Sequence, residues 1–95
     1  MTAPCPSLGF AVTLDVSPPV GSAGWNDIRE AWMEMLESRG LYGRGGGEQR
    51  LEYVVASEAS QATNNDREEV RRWLSRRADI LAWHVGGLED LKAST

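Results

Sequence analysis

Arg67, Arg71, Arg72, Arg76 and Arg77 fall within one short stretch, interleaved with Asp66, Glu68 and Glu69, and the balance is two positive charges. A guanidinium group binds phosphate or carboxylate through paired hydrogen bonds. The stretch is therefore either a solvated helix face with internal ion pairs, such as Glu68 with Arg72 four residues on, or a patch for RNA phosphate or an acidic partner surface. Arg67, Arg71, Arg72 and Arg76 are the candidate contacts of such a patch. Arg44 and Arg50 extend it only if they project the same way, which the fold decides.

Catalytic chemistry has little to work with. His84 is the one histidine, and it lies in an apolar closing segment, where it reads as a histidine on a strand. No Ser/His/acid or Cys/His system is credible around it. A metal site needs several convergent ligands, which His84 and Cys5 cannot supply, and the carboxylates fall on solvent faces. Glu68-Glu69 and Glu89-Asp90 are neighbours in sequence, so neither pair faces itself across a helix or a strand. Gly43-Arg44-Gly45-Gly46-Gly47 could cradle an anion through its backbone N–H groups. A phosphate loop, however, needs Gly-Lys-Ser/Thr opening a helix; here no lysine is present and a strand follows, so the run reads as a hairpin turn. The expectation is a non-enzyme with no catalytic, cofactor or metal site and no small-molecule substrate.

The 95 residues carry 14 acidic against 10 basic side chains, a net charge of −4. Whole-molecule attraction to nucleic acid is thus absent, and any RNA contact needs a local basic patch. The lone cysteine, Cys5, sits between two prolines and cannot form an internal disulfide, which fits a reducing compartment. No apolar run approaches the roughly 20 residues that span a bilayer, and Met1 to Ser7 lacks the basic and apolar regions of a signal peptide. A cytoplasmic protein with no membrane partner is expected. Four tryptophans, Trp25, Trp32, Trp73 and Trp83, are enough large apolar bodies to define one small core.

The elements that must position these residues follow from periodicity. A loose tail over 1–7 precedes Leu8, Phe10, Val12, Leu14 and Val16, which alternate with Gly9, Ala11, Thr13 and Asp15, the pattern of a strand with one buried face. Ser17-Pro18-Pro19 ends it. Trp25, Ile28, Trp32, Met35 and Leu36 form a helical stripe, and Gly40 suits the residue just past its end. Leu41 to Arg44 and Leu51 to Ala56 read as a hairpin turning at Gly45-Gly46-Gly47. Thr63 and Asp66 resemble a capping box for a second helix that buries Val70, Trp73 and Leu74. Ile80 to Leu91 holds Trp83, Val85 and Leu88 about a glycine pair, which is poor in a helix; it reads as a strand with a bulge or bend.

The order strand, helix, strand, strand, helix, strand predicts a ferredoxin-like βαββαβ fold of the α+β class, a four-stranded antiparallel sheet with two helices on one face. The domain is expected over 8–91, with a short tail over 92–95, and Trp32 and Trp73 close its core. Two activities common on this architecture find no residues. An RNA-recognition module stacks bases on aromatics of the open sheet face, but that face carries Gly9, Ala11, Thr13 and Asp15 beside Glu52, Val54 and Ala56, acidic and without an aromatic. An acylphosphatase-like site wants an arginine after the first strand, and Ser17 to Gly24 has none.

Several segments together resemble the YggL family of bacterial proteins associated with the large ribosomal subunit. They are Leu8-Gly9-Phe10-Ala11-Val12, Leu41 followed by glycines before Leu51 to Val55, Thr63, Val70-Arg71-Arg72-Trp73-Leu74, and Val85-Gly86-Gly87-Leu88-Glu89-Asp90. Their order and spacing agree over about Leu8 to Asp90. The resemblance implies binding to the large ribosomal subunit, through rRNA or a ribosomal protein and with a tie to its assembly, and it implies no catalysis and no cofactor. The family's basic N-terminal arm has no counterpart in Met1 to Ser7, which shifts phosphate contacts onto Arg67, Arg71, Arg72 and Arg76. The alternative expectation is a protein-interaction module or homodimer without RNA binding, resting on the acidic charge and on apolar Ala11, Val54 and Ala56.

Overall fold

The computed structural model describes residues 8–57 and 61–90; the tail over 1–7 with Cys5, and the chain from 91 onward, lie outside them. The elements are β1 (Leu8–Val16), α1 (Ala23–Ser38), β2 (Leu41–Gly47), β3 (Arg50–Ser57), α2 (Asn64–Ser75), β4 (Ile80–Val85) and a short β5 (Glu89–Asp90). The sheet runs β2-β3-β1-β4 with every pair antiparallel, and β5 resumes pairing with β1 beyond the break at 86–88. This is the ferredoxin-like arrangement that the order of elements predicts.

Alternation decides which sheet face the helices cover. Phe10, Val12, Leu14 and Val16 of β1, and Leu51, Tyr53 and Val55 of β3, point to one side and are buried. Ile28, Trp32 and Leu36 of α1 and Val70 and Leu74 of α2 pack onto that side in the same apolar cluster. The two helices meet over it through Trp32, fully buried, whose ring lies 5.7 Å from Trp73 and 5.4 Å from Tyr53. Trp73 is half-buried at the helix–helix seam.

Both helices start and stop where local chemistry favours it. Ser22 caps α1 by accepting the Trp25 N–H at 3.2 Å, and Gly40 ends it at φ 71°, a left-handed conformation that suits glycine. Thr63 and Asp66 form the capping box of α2: the Thr63 hydroxyl accepts the Asp66 N–H at 3.1 Å, and the Asp66 carboxylate accepts the Thr63 N–H at 2.9 Å.

Two local expectations need correction. The glycine run is strand, not turn: Gly45, Gly46 and Gly47 pair with Tyr53, Glu52 and Leu51, and the chain reverses at Glu48-Gln49. Gly45 and Gly47 have φ of 139° and 149°, and a Cβ on either would collide with the backbone carbonyl of Glu52 or Arg50. The glycines are required by close cross-strand approach rather than by a bend. The open sheet face also carries rings. Tyr42 lies on it opposite Ala56, and His84 opposite Thr13, while Arg50 neutralises Asp15 there at 2.8 Å. The central strands alone do carry no aromatic on that side; the outer strands supply Tyr42 and His84.

The closing segment bends twice. Val16 pairs with Ile80 while Asp15 pairs with Ala82, so Leu81 is an extra residue in the ladder and is 70% exposed. At the other end the Gly86 N–H donates to the Ala11 carbonyl at 2.8 Å, which holds the break against β1.

Trp32→Ala empties the point where both helices and β3 meet. The expected loss is about 3–5 kcal/mol in a urea melt, with Trp73→Ala costing distinctly less because its ring is already part-solvated. Equal losses would show that the two rings share the core equally.

Candidate functional site

Helix α2 places its arginines on two sides. Arg67 turns toward β4: its Nε donates to the Gly86 carbonyl at 2.7 Å and its Nη1 to Asn64 Oδ1 at 2.9 Å. It thus supports the break after β4. Arg71 also turns that way, with its guanidinium 6.0 Å from the Trp83 ring and a long 4.0 Å approach to Glu68. Arg72 and Arg76 face α1. Arg72 pairs with Glu69 at 2.8 Å, one turn back; the Glu68 pairing expected from four-residue spacing goes to Arg71 instead, three residues on. The Arg76 side chain has no hydrogen bond or ion pair among the described residues.

Arg44 and Arg50 do not join them. Both lie on the open face of the sheet, Arg44 opposite Val54 and Arg50 clamped on Asp15 by two hydrogen bonds of 2.8 and 3.3 Å. The six candidates therefore occupy opposite faces of the molecule.

The seam between the helices adds a cation that spacing did not reveal. Arg39, the C-cap of α1, lines a depression of about 200 Å³ with Arg72, Arg76, Glu69 and Trp73. Its Nη2 reaches Asp66 at 3.5 Å, and its Nε is shielded from solvent without an acceptor among the described residues. Three guanidinium groups thus face one hollow against the carboxylates of Glu69 and Asp66, with an aromatic wall. Such a hollow suits an anion, and the planar donors of arginine suit the oxygens of a phosphate in particular. No sequence signal placed Arg39 here; its neighbour Gly40 marks the helix end, but only the helix packing turns its side chain toward α2.

Just beyond α2, Arg77 grips Asp79 through two hydrogen bonds of 3.0 and 2.9 Å and lies 5.1 Å from the Trp73 ring. The hydrogen bonds from Arg77 hold the Asp79 carboxyl below its ordinary value, and those to Asp79 raise Arg77 in turn. On the open face, Thr13, Asp15 and His84 share a shallow hollow, but Asp15 is occupied by Arg50. Among the described residues no group of three or more His, Cys, Asp or Glu side chains is placed to hold a metal ion.

The pieces that position this seam run through the whole domain, and one family model covers them. The model described as YggL 50S ribosome-binding protein matches residues 6–92. The chain belongs to the YggL family. The match spans every element described, from β1 through the break at 86–88 to β5. Comparisons with curated proteins and with solved structures gave no match. Among the described residues, no helix of this YggL-family chain is long and apolar enough to cross a membrane.

Because the Asp79 carboxyl is lowered in the folded protein, its contribution to stability is complete above the unfolded carboxylate value, near pH 4, and is lost as pH falls through the lower folded value. Asp79→Asn should therefore flatten the acid limb of a stability-versus-pH curve below about pH 4 and leave its neutral region nearly parallel. An acid limb of unchanged steepness would remove Asp79 from the account.

Proposed function

We propose that the protein binds the large ribosomal subunit as a non-catalytic accessory in the cytoplasm, acting during subunit assembly, and that Arg72, Arg76 and Arg39 meet rRNA phosphates. The observation that supports the partner is the family match over residues 6–92. The surface follows from charge: with a net charge of −4, attraction to RNA must be local, and Arg76 is a cation with no counter-ion among the described residues. Arg71 is exposed on the other side of α2, toward Trp83, and stands outside this seam. Arg67, committed to the Gly86 carbonyl, supports the shape of this surface rather than its charge. What supports the non-catalytic reading is the family match, whose description names ribosome binding.

Sedimentation of a lysate through a low-salt sucrose gradient should place the protein in large-subunit fractions, with precursor particles enriched over mature ones. Each phosphate contact steepens the salt dependence of binding by about one unit of log K per log salt. The R72Q/R76Q double variant should bind more weakly and lose about two units of that slope. Protein that stays at the top of the gradient removes the ribosome reading, and an unchanged slope moves the contact surface elsewhere.

A second reading, self-association through the open sheet face, is favoured by the exposure of Tyr42 and Val54 there. Light scattering at high concentration checks it: a dimer mass supports it and a strict monomer removes it.

A further inference from the structure

We propose that the groove between α1 and β2 is a docking site for an extended peptide segment carrying arginine or lysine, which adds as a strand to the β2 edge. The inference does not depend on the ribosome reading, since the groove lies on the opposite side of α1 from the arginine seam.

The groove, of about 430 Å³, exceeds the interhelical hollow in size. Its floor is Gly43, Gly45 and Tyr53, and its wall is the outer face of α1 with Glu30, Glu34 and Glu37. β2 ends the sheet, so the outward N–H and C=O groups along it have no strand beside them among the described residues. Exposed edges are usually blunted by a lysine, a proline, a bulge or a covering element. β2 has one charged side chain, Arg44, and it points to the other face of the sheet. The glycines are there for internal reasons, cross-strand carbonyls at Gly45 and the Leu36 side chain at Gly43. Their effect is nevertheless a rim without side chains, which a second backbone can approach closely.

Charge names the occupant. Glu30, Glu34 and Glu37 step by four and three along α1, which sets them in one row, and all three are exposed and outside any ion pair among the described residues. Arg29, the one cation on the groove, is turned onto the Trp25 ring at 4.8 Å. A helix rises about 1.5 Å per residue, so Glu30 and Glu34 stand about 6 Å apart along the axis. Same-side residues of a strand repeat at about 6.6–6.8 Å. Two successive upward side chains of an added strand would thus meet Glu30 and Glu34, with Glu37 about 4.5 Å further along the axis, and basic ones would be held while acidic ones would be repelled. Backbone pairing supplies the affinity in such additions and the alternate side chains supply selectivity.

The probe is a fluorescein-labelled peptide about the length of β2, alternating arginine and valine and blocked at both ends, read by fluorescence anisotropy on the full chain. It should bind, while the counterpart with glutamate for arginine should not. E30Q/E34Q/E37Q, three exposed changes whose folding is checked by circular dichroism, should weaken binding about tenfold and leave ribosome sedimentation unchanged. Methylating alternate peptide nitrogens on the pairing edge should abolish binding, because it removes the donors of a strand ladder. Failure of the arginine peptide to bind, equal affinity for the triple variant, or indifference to N-methylation would each overturn the proposal.

Discussion

The fit of one ring decides most of this molecule. Trp32 is completely buried between the sheet and the second helix, touching Tyr53 below and Trp73 beside it. Beneath the last turns of α1, β2 presents Gly43, where an added Cβ would come within 3.0 Å of the Leu36 side chain, so the glycine lets this part of the helix lie close on the sheet. The Trp32 indole nitrogen has no acceptor among the described residues, so packing outweighs a lost hydrogen bond at this point. Because Trp32 draws α2 against α1, Arg72 and Arg76 come to stand beside Arg39. The cationic seam is thus a by-product of how the core closes.

A net charge of −4 hides a strong division. The exposed side of α1 is acidic, while α2 and the α1 C-cap present guanidinium groups to the opposite side of that helix. The two faces can engage unlike partners at once, and the long-range field of the whole protein is a poor guide to either. Salt screens such exposed charges within about 10 Å at 0.1 M, so each surface acts on what is directly against it.

Much of the architecture was legible because it rests on local rules. Alternation from Leu8 to Val16 named the buried face of β1, Thr63 and Asp66 announced α2, and Gly40 marked the end of α1. The expectations that failed share one cause: each depended on what lies across the sheet. Glycine favours turns in isolation, yet Gly45 and Gly47 are fixed by carbonyls of the neighbouring strand. The central strands alone leave the open face free of rings; only the pairing of the outer strands across the sheet adds Tyr42 and His84 to it. The arginines were legible as types, but not which would be consumed: Arg67 by the Gly86 carbonyl, Arg50 by Asp15, Arg77 by Asp79. Arg39 could enter the site only through the packing of two helices.

The tip of the β2–β3 hairpin is tied down from outside. The Gln49 side-chain amide donates to the carbonyls of Val16 and Pro18, both at 2.6 Å, the Val16 N–H donates back to the Gln49 carbonyl at 3.0 Å, and the Trp25 indole donates to the Glu48 carbonyl at 2.9 Å. A hairpin tip is ordinarily the first part of a sheet to fray. Here it cannot loosen without also releasing the end of β1 and the first turn of α1, so opening at this end involves four elements, β1, α1, β2 and β3, joined by contacts distant in sequence. The same ties give the bare edge of β2 a rigid backing at this end.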